Sequence, residues 1–276
     1  MEKSLSFATK LLLIGAGGLA VVAGPILFLF PTQTATYFAW TIKHPLTPIF
    51  MGANYAGGIG AVWAMFTNRW STARVLLPGV FTFAITQLLA TLLHIPIFNW
   101  QHPVAWAWLF VYITSPVATA LVYLSMERGY HAPESSQPFL PSAFNGVMIA
   151  LAVVTGLIGL ALILWPFVFS PNASGNAVPW WAWTLTPLTA RVAGGWYLAA
   201  SALYATLSRE HSLDRVRISL FSLVLVNGLQ LLGALRYGSA FNGPTFTVIL
   251  YLLISLVSFG FSAFTWLRGK PASSVT

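Results

Sequence analysis

Cysteine is absent from the 276-residue chain. That single fact removes disulfides, thiolate metal sites, iron–sulfur ligation and cysteine nucleophiles. Charge is nearly as scarce: 7% of residues are Asp, Glu, Lys or Arg, where a water-soluble domain carries roughly a quarter. Acidic residues are the rarest of these, five against 13 Lys and Arg. What fills the chain instead is apolar, 57% of residues with a mean hydropathy of +0.78. Too little polar surface remains to coat a globule, so the bilayer is the natural solvent. The net charge of +8 does not indicate nucleic acid. Its Lys and Arg residues lie in short segments between oily runs, which makes membrane lipids the expected partner.

Eight apolar runs are legible: residues 11–30, 45–68, 75–93, 103–126, 143–170, 192–208 (extended back to 187), 218–235 and 244–267. Each reaches the length a helix needs to cross about 30 Å of hydrocarbon. The expectation is an all-α polytopic membrane protein with eight transmembrane helices. Lys3 and Lys10 ahead of the first run resemble a secretory leader. The run is longer than a leader core, however, and "GPILF" (24–28) has an internal counterpart in "WPFVF" (165–169). It is therefore read as the first helix.

That counterpart belongs to a longer duplication. "QLLATLLHIPIFN" (87–99) returns as "QLLGALRYGSAFN" (230–242), with six of thirteen positions identical and no gap. "WTIKHPLTPIFMGANY" (40–55) matches "WTLTPLTARVAGGWY" (183–197) after one deletion, and Pro103 and Pro244 both open the last helix of their copy. The chain divides into a first four-helix repeat (1–126), a hydrophilic linker "ERGYHAPESSQPFLPS" (127–142) and a second four-helix repeat (143–276). Four crossings per unit return the chain to the side it started from. The two repeats are therefore parallel, related by a pseudo-twofold axis along the membrane normal.

Lys3, Lys10, Arg69, Arg74, Arg128, Arg209, Arg215, Arg217, Arg268 and Lys270 fall at the termini or in the even-numbered loops. Lys43, Arg191 and Arg236 fall on the other side. The positive-inside rule places the linker and both termini in the cytoplasm, consistent with a bacterial inner membrane. Small residues at four-residue spacing, Ala16, Ala20, Gly24 and Ala53, Gly57, Ala61, with Gly195 and Ala199 in the second copy, mark helix-packing faces.

In this topology all five acids, Glu2, Glu127, Glu134, Glu210 and Asp214, are cytoplasmic. Carboxylate pairs for hydrolysis, a carboxylate proton relay and an acidic channel ring are excluded. The outer half then holds Arg191 and Arg236 with no acid to pair them. Lipid phosphate, an anionic or carbonyl-bearing ligand, or the tryptophans of "PWWAW" (179–183) are the available partners. The tryptophans themselves read most simply as an interfacial belt. Gln87, Thr91 and His94 follow an i, i+4, i+7 stripe, and Asn227, Gln230 and Tyr237 line the corresponding face of the second copy, with Asn54 at a comparable depth. Interhelical hydrogen bonding and an outward-opening polar pocket both account for these stripes. Haem or metal ligation has only His44 and His94 to draw on, and Tyr237 replaces His94 in the second copy. Asn172-Ala173-Ser174 is a glycosylation sequon on the outer side.

"RVAGGWYLAASALYA" (191–205), followed by a charged turn and Gly243-Pro244, resembles DoxX-like four-helix membrane units. The likeness covers the sixth to eighth helices, and the first copy departs from it with Ile49 where Arg191 stands. It implies a bacterial four-helix module in a membrane redox neighbourhood and assigns no catalytic residue. The function expected is non-enzymatic: binding or passing a small anionic or carbonyl-bearing amphiphile, a lipid headgroup or a quinone. The pocket expected comprises Arg191, Asn227, Gln230, Arg236 and Tyr237. Two alternatives stand beside it, an accessory subunit of a larger membrane complex and a haem- or quinone-linked redox component.

Overall fold

The computed structural model describes residues 2–132, 140–170 and 175–268; Glu134, Lys270 and the 172–174 sequon lie outside them. Helix makes up 76% and no strand forms among the described residues, which bears out the all-α class. Ser6 starts α1 (Phe7–Leu29) by accepting the Thr9 N–H at 3.1 Å, a standard way to satisfy an orphan first-turn donor. A single turn, α2 (Thr34–Tyr37), precedes α3 (Leu46–Ala56) and α4 (Ile59–Thr67). The last two form one rod interrupted at Gly57–Gly58, where hydrogen bonds shorten to i→i−3: Gly58 N–H to Tyr55 O at 2.8 Å, Ala61 N–H to Gly58 O at 2.9 Å. Asn68, in the left-handed region at φ 54, ends α4. Then follow α5 (Trp70–Leu93), α6 (Pro103–Glu127), α7 (Phe144–Val168), α8 (Pro187–Leu207), α9 (Leu213–Arg236) and α10 (Thr245–Arg268).

Seven spans among the described residues are long and apolar enough to cross a membrane: α1, α3–α4, α5, α6, α7, α9 and α10. The remaining expected span, α8, is not among them. It has 21 residues, of which 12 are buried. A helix so enclosed answers to protein neighbours rather than to lipid, so its sequence can carry Arg191, threonines and tyrosines.

Neighbouring pairs α1 with α3–α4, α5 with α6, α7 with α8 and α9 with α10 pack along their lengths. The halves of the chain interlock rather than sit side by side: α5 lies on α8, and α3–α4 on α9. Glycines set two of these crossings. A Cβ on Gly52 would come within 2.7 Å of the Gly24 carbonyl, and one on Gly194 within 2.8 Å of the Gly159 carbonyl. The small-residue stripes divide their partners. Ala20 and Gly24 of α1 meet Gly58, Gly52 and Ala56, while Gly57 turns instead to Val226 of α9, and Gly195 to Thr86 and Gln87 of α5.

The two ends of the rods differ in chemistry. At one end Arg74 pairs with Glu127 (3.0 Å) and Glu210 (3.6 Å), Arg215 with Glu210 (3.4 Å), and Arg69 with Glu2 (3.5 Å) and Asp214 (4.0 Å). Every acid among the described residues is in this layer. The opposite end is aromatic. Trp40 packs on Phe98 and Trp108 at 5.1 and 5.0 Å, and Trp183 on Phe241 and Tyr251 at 6.2 and 5.2 Å. The tryptophans of "PWWAW" correct the belt expectation in part: Trp181 and Trp183 are 1% exposed and pack against Tyr197, Tyr251 and Phe50. Buried ring area, not headgroup anchoring, accounts for them.

Candidate functional site

The two similar stretches, 87–99 and 230–242, build the same local structure. α5 stops at Leu93, His94 caps it at φ −131, ψ 25, and one 3-10 turn (Ile95–Ile97) follows. α9 stops at Arg236, Tyr237 caps it at φ −123, ψ 31, and a 3-10 turn (Gly238–Ala240) follows. The caps thus project His94 and Tyr237 from equivalent corners of the acid-free end. Across from His94, Thr186 opens α8 with a capping box to Thr189, and Pro187 takes the first helical position. That start fixes the first turn of α8 and so the root of Arg191.

Arg191 is 6% exposed. Its Nη1 donates to His94 Nε2 at 2.6 Å and to the Pro187 carbonyl at 3.3 Å, and its guanidinium lies over the Phe167 ring, 4.0 Å from the centroid. Nε is buried with no partner. These groups border a cavity of about 730 Å³ that Lys43, His44, Thr47, Thr184 and Thr189 also line. No carboxylate is among its lining residues. A guanidinium offers donors only, so among the described residues a neutral imidazole lone pair, one carbonyl and a π face are what answer its charge. Burial first, and the neighbouring Arg191 charge second, push the His94 imidazole down to about 4. Burial also holds His44 below its ordinary value.

The other candidates disperse. Asn54, Asn227 and Gln230 line a separate central cavity of about 210 Å³, together with Tyr55, Tyr112 and Tyr204. Asn227 Nδ2 donates to the Leu223 carbonyl (2.8 Å) and to Ser258 Oγ (2.9 Å), Ser255 donates to Gln230 Oε1 (3.3 Å), and Asn54 donates to the Phe50 carbonyl (2.7 Å). Gln87 is fully buried and donates to the Val192 carbonyl of α8 at 3.2 Å. Thr91 accepts from Trp108 Nε1 at 2.9 Å and donates to the Gln87 carbonyl at 2.7 Å. Those two tie helices together. Arg236 is exposed and lies over the ring of half-buried Tyr237 at 5.2 Å, apart from Arg191's cavity.

The five-residue pocket expected in the second copy is therefore three places, and Arg191 finds its partner in the first copy. The reason is the interlocking of α5 with α8, which puts the cap of one half beside the helix start of the other. Sequence reasoning set Lys43 aside as a topology marker and Phe167 as part of an oily run. The adjacent Lys43 and His44 of "IKHP" (42–45), in the loop matching the approach to Arg191, were the available signal for the cavity wall. The neighbourhood of Arg191 with the "PWWAW" tryptophans does not form; its aromatic partner is Phe167.

No family model matches the chain, and neither a curated protein nor a solved structure shows detectable similarity to it.

Proposed function

We propose that this chain is a non-enzymatic membrane protein that binds a small amphiphile by its anionic or carbonyl-bearing head in the Arg191 cavity, which faces outward. In this reading eight spans form two parallel four-helix repeats, with both termini cytoplasmic. Residue-level correspondence supports the repeat: His94 with Tyr237 at matching caps, Trp40 with Trp183 in matching aromatic clusters. Gly79 of α5 sits against the Ala199 carbonyl of α8, as Ser222 of α9 does against Gly57 of the broken rod. Such crossed pairs are what a twofold axis along the rods produces. The acid layer at one end and the cation-lined cavity at the other support the orientation.

One observation carries the ligand reading. A buried guanidinium opens on a cavity with Lys43 and two imidazoles, an unpaired Nε–H and no counter-charge. A buried charge is stable only when paired or well hydrogen-bonded, and a ligand oxygen supplies what the protein omits. Native mass spectrometry of protein released from its own membrane tests this. A retained anionic or carbonyl-bearing amphiphile is expected, lost in Arg191→Ala and kept in Arg236→Ala. Equal retention in Arg191→Ala and the parent chain would overturn the assignment.

A further inference from the structure

The Arg191–His94 contact constrains protonation as well as position. Arginine has no acceptor atom, so at 2.6 Å the Nε2 of His94 must present its lone pair, with the ring proton on Nδ1. His94 is therefore neutral when the cavity holds no anion. The groups around it reinforce that state. Arg191 approaches from α8, and Lys43 and His44 stand on the segment leading into α3. His44 already bonds the Ala240 backbone. From α7 come Pro166 and Phe167, which do not titrate. A proton added to His94 in this setting would put an imidazolium against a guanidinium with nothing negative between them.

An anion reverses the sign. With a negatively charged head on Arg191, the same proton becomes favourable, because His94 then has a counter-ion within reach. The imidazolium releases Arg191 and turns its new Nε2–H to the ligand, and the Arg191 Nη1 donor freed by that release turns to the ligand too. We propose that the Arg191–His94 pair couples binding of an anionic headgroup to uptake of one proton, so that the cavity takes up the anion and H⁺ together. The proton comes from hydronium in the solvent and ends on His94 Nε2; one O–H bond breaks as one N–H bond forms. This rests on the headgroup reading above and adds the linkage to it. By that linkage, anion affinity rises as pH falls, by up to about tenfold per pH unit where the free site is neutral and the occupied one protonated.

Isothermal titration calorimetry on the full chain in maltoside micelles tests the coupling with octanesulfonate, whose charge does not change between pH 5 and 8. Heats measured in buffers of different ionisation enthalpy count the protons exchanged. The expected result is uptake approaching one proton, with affinity increasing from pH 7 to pH 5. In His94→Gln, binding should persist, without uptake and without pH dependence, since Gln accepts from Arg191 but does not titrate. His131→Gln, beyond the Glu127 end of α6, should leave uptake intact. Binding without proton uptake, or uptake surviving in His94→Gln, overturns the coupling while leaving the headgroup site standing. Failure of octanesulfonate to bind at any pH overturns both. Methanesulfonate in the same titration separates a free anion, for which it binds equally well, from an amphiphile, for which it binds much more weakly; the proton count applies to either.

Discussion

Replacing Gly194 by Ala puts a methyl group where α7 and α8 touch. The added Cβ would lie 2.8 Å from the Gly159 carbonyl oxygen and 2.7 Å from Ile163 Cγ1, with Leu162 Cβ at 3.1 Å. Ordinary contact begins near 3.4 Å, so the two helices must separate by several tenths of an ångström. Backbone atoms face the methyl, and no rotamer change relieves them. Overpacking of this kind costs about 1–3 kcal/mol, against a gain of about 1 kcal/mol for Ala over Gly in a helix. A net loss of up to about 2 kcal/mol is expected, and of about 1–3 kcal/mol relative to a Gly→Ala change in open space. Gly260→Ala is the matched control, because nothing lies within 4 Å of its Cβ position. Unfolding by dodecyl sulfate in mixed micelles, followed through the native tryptophans, measures both. The separation also carries Arg191 on α8 away from Phe167 on α7, so octanesulfonate binding should weaken in Gly194→Ala alone. Equal stability of the two variants would refute the close-approach argument.

The ion-pair layer can be dissected at Glu127, which pairs with Arg74 at 3.0 Å and accepts from Trp70 Nε1 at 2.9 Å. Glu127→Gln keeps an acceptor for Trp70 and should cost at most about 1 kcal/mol, whereas Glu127→Ala should cost about 1.5–3 kcal/mol in the same micelle assay. Stability should also fall on acidification through His94. Its folded value of about 4 lies below the unfolded 6.5, so the unfolded chain binds more protons in that window and gains as pH drops. His94→Gln should flatten the dependence between pH 6.5 and 4, and an unchanged slope would show that other groups govern it. Because the chain lacks cysteine, Lys43→Cys and His131→Cys report sidedness without background. A membrane-impermeant maleimide applied to intact cells should label the first and spare the second, and the opposite pattern overturns the orientation.

How far the sequence could be read depended on which interactions a residue makes. Helix positions were legible because burial in lipid imposes length and apolarity locally, and the runs at 103–126 and 244–267 match α6 and α10 within a residue or two. α8 was legible as the uncharged run 192–208 and from its likeness to 40–55, although a helix so enclosed by protein carries a weaker apolar signature than lipid contact demands. The glutamine stripe was visible, but its purpose was not. Gln87 and Gln230 occupy the same register, yet one bonds the α8 backbone and the other Ser255 of its own half. Partner choice there depends on helix pairing, which no local pattern encodes. The same holds for Arg191. Its lack of an acid was evident from composition, whereas His94 as its partner required knowing that α5 packs on α8 as well as on α6.

In the proposed reading, the distribution of carboxylates ties fold to function. The acids among the described residues are spent in one layer, where Arg69, Arg74 and Arg215 need them. Transferring any one of them to the Arg191 cavity would give that guanidinium a permanent partner and, by the same contact, occupy the place of a ligand. A protein stabilised only for its own fold has every reason to make that pairing, because an unpaired buried charge is among the larger penalties a fold can carry. The cavity instead offers a neutral imidazole, which satisfies one donor without neutralising the charge. Partial satisfaction keeps the empty protein folded and leaves a positive field for something from outside to complete. The His94 imidazole is also able to exchange its acceptor for a donor when that happens.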